Sequence, residues 1–345
     1  DLIIELIGGA EGPAKKLVFN ALKNGKHVVT ANKALIAKYG DTLAKIAEKN
    51  NVNLEFEAAV CGGVPIIRTL KEGLIANKIS KIYGIFNGTS NYILSTMDKH
   101  NKNFDDVLKN AKKMGYSETN PSADLNGDDV ASKLKILSSL CFNSFLNNKI
   151  YVEGIKDIDK NDIDNANKLG YKIKLLGFAE LINGRIYQRV HPALIKKTSY
   201  VAGIDGVLNA VIIDGKPIGQ TIIQGEGAGP SATTSALISD ISSILRGNIK
   251  FPFSLSSKER KQLKFNNISS RFFSAYFRFE VLDKQGVLSN ITYIFSKNKV
   301  SIKRLVQNPD RGKKTSSIII ITHLSKDEDL AKILKKISKK NYIKK

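Results

Sequence analysis

The chain is poor in several residue types and patterns, and each scarcity removes a class of protein. Only two of its 345 residues are cysteines, Cys61 and Cys141. Two thiols cannot build a disulfide framework, and neither belongs to a CxxC pair that would hold a metal. Both lie in apolar stretches and are expected to pack as small buried residues in a reducing compartment. No stretch approaches the roughly 18 apolar residues of a membrane span, so a transmembrane helix is excluded. The sequence opens on Asp1 and the apolar run Leu2-Ile3-Ile4, with no initiator methionine and no charged leader ahead of a signal core. A cytoplasmic address with no membrane partner is expected, and a chain that starts on a core strand reads as lacking part of its first domain. Arginine is scarce as well: the basic residues are 45 Lys and 9 Arg, which against 32 acids leave a net charge of +22. Readout of bases and phosphates draws on arginine forks in local patches. Lysines spread over the whole length read as a solvated surface, and no nucleic-acid partner is expected.

What is present is an ordinary globular composition, 42% hydrophobic and 25% charged. At roughly 150 residues per domain the length suits two or three domains. Leu2 to Ile7 is an apolar run of strand length ending at Gly8-Gly9. Pro13 suits a first helical turn, and Leu17, Val18, Ala21 and Leu22 share one helical face before Gly25. His27 to Thr30 reads as a strand, Ala34 to Lys49 as a helix interrupted near Gly40 and Asp41, and Val52 to Val60 as a further strand. This β-α-β-α-β order with apolar strands predicts a parallel sheet covered on both faces. Ligands of such sheets bind beyond the carboxyl ends of the strands, where Gly8-Gly9 and Thr30 to Lys33 lie. From Gly62 strands and helices mix as in an α+β domain. A hairpin is expected over Val211 to Lys216 with Asp214-Gly215 as its turn. Gly225 to Gly229 leads into an amphipathic helix, Ser231 to Leu245. Residues 251–270 are polar and serine-rich, as in a linker, and a β-α-β-β-α pattern follows from Ala275 to Ile337.

The densest polar stretch runs from Gly115 to Lys133. Asp128 or Asp129 is expected to cap the helix that opens there. Asp129 and Lys133 stand four apart and so share a helical face, beside Leu137 on the core side. A lysine desolvated next to carboxylates can donate or accept a proton, and Glu118 and Asp124 are placed to hold a substrate amine. Lys33 follows a strand end and faces either the ligand crevice or solvent. The Gly225 to Gly229 amides suit a pyrophosphate at a helix start. The turn after Glu57 offers carbonyls to a monovalent cation, or is simply tight. Asn87 to Tyr92 closes a strand and caps the next helix.

Taken in order, these segments resemble homoserine dehydrogenase. The resemblance runs through Val28 to Lys33, Glu57 to Ile66, Asn87 to Leu94, Gly115 to Lys133 and Gly225 to Gly229, with Val190-His191-Pro192 and Asn209-Ala210-Val211 in place. It implies a Rossmann-type α/β domain over 1–62, to which the helix 231–245 returns, and an α+β catalytic and dimerisation domain over 63–250. It further implies a linker over 251–270 and a ferredoxin-like ACT domain over 271–345. That family interconverts L-homoserine and L-aspartate 4-semialdehyde with NAD or NADP. By resemblance Lys133 is the acid/base, with Lys33 beside it at the nicotinamide. Glu118, Asp129, Asp124, Thr89 and Tyr116 would bind substrate. Gly8, Thr30, Lys33, Gly115, Gly227 and Gly229 would border the cofactor. The carbonyls of Glu57, Val60, Gly62 and Val64 would hold sodium. Asp283, Gly286 and Val287 would form the effector turn, with threonine the expected effector and a homodimer or homotetramer the expected assembly. The family's opening GxGxxG turn is not found, so a βαβ unit of about 30 residues or more is expected to be missing. The rival expectation is a non-catalytic amino-acid sensor, in which the ACT domain works on a degenerate scaffold.

Overall fold

The computed structural model describes residues 1–145, 148–266, 268–310, 312 and 314–344, which leaves residue 267 of the expected linker and the final lysine outside the described residues. The chain forms two compact units, Asp1–Phe265 and Asn266–Lys345.

The first unit opens with strand β1 (Leu2–Glu5), helix α1 (Pro13–Lys23), β2 (His27–Thr30), α2 (Lys33–Lys49) and β3 (Leu54–Glu55). The strands pair in parallel in the order β1-β2-β3, as the apolar alternation with helices predicts. α1 starts on Pro13 and buries Val18, Ala21 and Leu22 as their spacing predicts, but Ala14 completes the buried face and Leu17, expected on it, is exposed. α2 runs without the expected break at Gly40. That glycine serves a close approach, since a Cβ there would lie 2.8 Å from the Phe253 ring and 2.9 Å from that of Phe145. The expected strand Val52 to Val60 is much shorter, because the chain turns into a 3-10 segment at Glu57–Ala59.

The chain continues through a short α3 (Ile66–Arg68), β4 (Lys78–Ile85), α4 (Gly88–His100), α5 (Phe104–Lys113), α6 (Ser122–Asn126) and α7 (Asp128–Cys141). Next come β5 (Tyr151–Val152), α8 (Lys160–Lys168), β6 (Tyr171–Ile182), β7 (Arg185–Lys196), β8 (Leu208–Lys216), β9 (Gly219–Glu226), α9 (Pro230–Leu245) and β10 (Lys264–Phe265). The second sheet has the order β10-β7-β6-β4-β8-β9, with β5 beside β7. The β8–β9 hairpin exists, but Asp214 and Gly215 lie within its ladder, opposite Gln220 and Gly219, and the reversal falls at Pro217-Ile218. α9 returns to the first sheet, where Leu237 and Ile244 pack with Val29.

The expected linker is no open tether over its first part. Phe253 is fully buried. The Arg260 guanidinium donates to Glu48 and Asp41, both at 3.1 Å, and β10 joins the sheet. A polar composition concealed one aromatic anchor and a buried arginine paired with two acids.

In the second unit a short β11 (Phe272–Phe273) precedes β12 (Tyr276–Leu282), α10 (Val287–Lys297), β13 (Ile302–Asp310) and β14 (Thr315–Thr322); a short β15 (Ser325–Lys326) then leads into α11 (Asp327–Ile337). The antiparallel sheet β12-β14-β13 packs Phe277, Phe279, Ile318 and Ile320 against Ile291, Phe295, Leu330 and Ile333. Val281 also bridges to Ile343 on the free edge of β12, a rudiment of the fourth strand of a ferredoxin-like fold.

Candidate active site

The centre of the site is the start of α7. No side chain caps this helix; its N-cap is Gly127 in the left-handed region, contrary to the expected aspartate. Asp129 is instead drawn inward and is 5% exposed. One of its oxygens lies 2.8 Å from the Lys133 ammonium and the other 2.7 Å from that of Lys33. The i, i+4 spacing sets the first pair; the second joins the start of α2 to the start of α7. Lys33 is the first residue of α2, where the helix dipole disfavours a cation. Asp129 offsets that.

Lys133 is buried and donates also to the Phe86 carbonyl at 2.7 Å. Burial works to lower its pKa, but the attraction of Asp129 outweighs it, and the ammonium is held above the ordinary lysine value. Burial likewise works to raise Asp129, yet Lys133 and Lys33 together hold its carboxyl well below the usual range. Both shifts favour the charged pair. Cys61 lies near enough to feel Lys133, and burial pushes its thiol up.

Two groups were not assigned to this cluster from sequence. Asn87 caps α4 as expected, accepting from Ser90 N at 2.8 Å, but its amide also donates to Asp124 at 2.7 Å and to Asp129 at 2.9 Å. The Phe86 carbonyl is held in place because its ring sits between Gly84 and Gly177, where a Cβ would come within 2.8 and 2.6 Å of it. Isolated glycines within strands were the available signal.

Asp124 is half-buried, and burial raises its carboxyl while the Asn87 bond opposes this. Thr89 donates its hydroxyl to the Tyr116 carbonyl at 2.7 Å, and the Tyr92 and Tyr116 rings lie 5.0 Å apart, so both fasten the Gly115 to Glu118 loop to α4. Glu118 itself is exposed and stands outside the lysine–carboxylate cluster.

On the nucleotide side, Gly8 and Thr30 lie at the carboxyl ends of the parallel strands. Gly8, Gly115 and Gly229 all have left-handed φ, and a Cβ on any of them would meet no other atom within 4 Å. Their backbones are therefore open to close approach, which is the fit a dinucleotide requires. Gly227 differs, since a Cβ there would collide with Asn209 at 2.1 Å. Cys61 and Gly62 have φ of 56° and 39°, folding residues 57–64 into a turn. The Glu57 carbonyl accepts from Val60 N at 3.3 Å and that of Val64 from Ile66 N at 2.7 Å. Among the described residues those of Val60 and Gly62 accept no backbone amide. Such free carbonyls suit a hard cation. In the second unit Gly286, φ 81°, begins α10; Val287 is buried and Asp283 exposed.

A family model for homoserine dehydrogenase matches residues 65–242, one for the homoserine dehydrogenase NAD-binding domain matches 1–57, and one for an AHAS small subunit-like ACT domain matches 277–345. The homoserine dehydrogenase of Neisseria gonorrhoeae is 42% identical over 94% of this chain and 76% of its own length. That of Helicobacter pylori is 40% identical over 98% of this chain and 79% of its own. The crystal structure of a homoserine dehydrogenase from Thiobacillus denitrificans superposes with a TM-score of 0.93 at 39% identity, covering 100% of this chain and 80% of that one. A hyperthermophilic archaeal homoserine dehydrogenase solved in complex with NADPH gives 0.64 at 29% identity, over 72% of this chain and 73% of that one. With the paired lysines, the open glycine turns and these matches together, the chain belongs to the homoserine dehydrogenase family of NAD(P)-dependent oxidoreductases.

Proposed function

We propose that the chain interconverts L-homoserine and L-aspartate 4-semialdehyde, with Lys133 as the acid and base at the substrate oxygen. The observation that carries this reading is the buried Lys133 ammonium, fastened to Asp129 and to the Phe86 carbonyl. An ammonium has three protons. Two are engaged among the described residues, which leaves the third for a carbonyl or alkoxide oxygen. When bound, NAD or NADP supplies or takes the hydride. In the reductive direction Lys133, held charged by Asp129, gives its proton to the aldehyde oxygen. In the oxidative direction it must first lose that proton, and Lys33, on the other oxygen of Asp129 and 44% exposed, links the cluster to water. Asp124 and Glu118 would take the substrate's amine, with Thr89 and Tyr116 fixing the loop between them.

The same reading assigns Gly8, Thr30, Gly115, Gly227 and Gly229 to the cofactor and the Glu57, Val60, Gly62 and Val64 carbonyls to sodium. It assigns Asp283, Gly286 and Val287 to an amino-acid effector, threonine by family resemblance, in a cytoplasmic homodimer or homotetramer. The test follows nucleotide reduction with L-homoserine, separately with NAD and NADP. Wild type should turn over, and Lys133→Ala should lose about 10²-fold or more in kcat while still folding. Retained turnover in that variant refutes the role of Lys133. A folded wild type that binds an amino acid without turnover returns the rival sensor reading.

A further inference from the structure

We propose that Glu5 is a positioning residue for the cofactor, holding the Gly8-Gly9 turn and the Thr30 hydroxyl in one register beside Lys33. The proposal rests on the nucleotide-dependent reading above. Glu5 ends β1 and is fully buried. One carboxylate oxygen accepts from Ile7 N at 2.8 Å and Gly8 N at 2.9 Å; the other accepts the Thr30 hydroxyl proton at 2.6 Å. All three groups aimed at it are donors. Thr30 Oγ1 accepts in turn from Asn32 N at 2.9 Å. Asn32 closes the circuit, donating its side-chain amide to the Gly9 carbonyl at 2.8 Å and accepting from Leu35 N at 3.0 Å to cap α2. Lys33 is the first residue of that helix.

The turn itself rests on very little. Gly8 and Gly9 both have φ of 81°, a Cβ on Gly8 would touch nothing, and Leu6 and Ile7 are about 60% exposed. With almost no packing beneath it, the turn is placed by these hydrogen bonds. Loss of Glu5 should therefore loosen the nucleotide's seat more than it destabilises the fold. Hydrogen bonds to a charged group are strong enough that losing them should weaken binding about tenfold or more.

The test titrates NADPH by its fluorescence into the full chain, alongside thermal melts and KM values for both substrates. Glu5→Ala should raise the NADPH Kd about tenfold or more, move the homoserine KM by less than about threefold, and barely shift the Tm. Glu5→Gln keeps an acceptor for the two amides and should recover most of the affinity. Combined with Thr30→Val it should be no worse than the weaker-binding single variant, because the two act through one bond. An unchanged Kd in folded Glu5→Ala overturns the proposal. So does a Kd that rises together with a large drop in Tm and is not rescued by glutamine, which marks a merely structural role. If Glu5→Ala does not fold, the Glu5→Gln/Thr30→Val cycle decides: coupled effects on Kd support the proposal and additive ones overturn it. A wild type that binds no nucleotide overturns the functional reading itself, and the proposal falls with it.

Discussion

Replacing Asp129 by asparagine removes one charge from the centre of the site while keeping its shape. In the native chain this carboxylate lies 2.8 Å from Lys133, which is only 10% exposed, and 2.7 Å from Lys33, which is 44% exposed. Lys33 can turn to water when its partner is lost, and Lys133 cannot. Unit charges at 2.8 Å attract by ~6 kcal/mol at an effective dielectric of about 20. Removing one member of a buried pair typically costs about 3–5 kcal/mol, because the survivor stays buried without a counter-charge. An asparagine still offers a carbonyl, and the Phe86 carbonyl still accepts at 2.7 Å. The lower end, ~3 kcal/mol near neutral pH, is therefore expected. The sign with pH follows from Lys133. Its native value is raised, so the stability it contributes is present below its unfolded value and lost as pH rises through the folded one. In the variant burial is no longer outweighed, so the penalty for the charge is present at neutral pH and is released on alkalinisation. The gap between the two proteins should narrow from about pH 7 to about pH 10. Denaturant unfolding followed by far-UV circular dichroism at both pH values reads this directly. A difference within about 0.5 kcal/mol at both would refute the reasoning and place Asp129 among solvated surface acids.

Three further outcomes follow from single contacts. Gly40→Ala should destabilise by about 1–3 kcal/mol in thermal melts, although alanine is the better helix former by about 1 kcal/mol, because the added methyl meets the rings of Phe253 and Phe145. Asp240, buried and repelled by Glu55, has its carboxyl pushed up to about 7. Its contribution to stability is present below the unfolded carboxylate range and lost as pH rises through about 7, so the Tm of Asp240→Asn should improve relative to wild type above that pH compared with below it; a pH-independent difference would contradict this. Glu118→Gln should raise the homoserine KM about fivefold or more with no change in Tm, since Glu118 is exposed; an unchanged KM would remove it from the substrate's reach.

What was legible in the sequence was what a short window of chain determines. The Pro13 start of α1 and the burial of its Val18, Ala21 and Leu22 are set by spacing, and so is the pairing of Asp129 with Lys133. The β-α-β-α-β order reads directly because apolar strands and amphipathic helices differ in period. The errors share one cause. Gly40 reads as a helix break by propensity, yet the rings that require a glycine there come from residues 145 and 253. Asp214-Gly215 is a strong turn signal, but β8 pairs with β4 through Lys216, which carries the ladder one residue past it. Asn87 is recognisable as a cap from its neighbours, whereas its bonds to Asp124 and Asp129 span 37 and 42 positions. The serine-rich stretch after Lys250 shows the limit most clearly. Composition counts Arg260 as one more solvated charge, since it cannot register that Glu48 and Asp41 wait 212 and 219 positions upstream. A buried arginine is affordable only with such partners, so its burial belongs to the tertiary fold and no local pattern announces it.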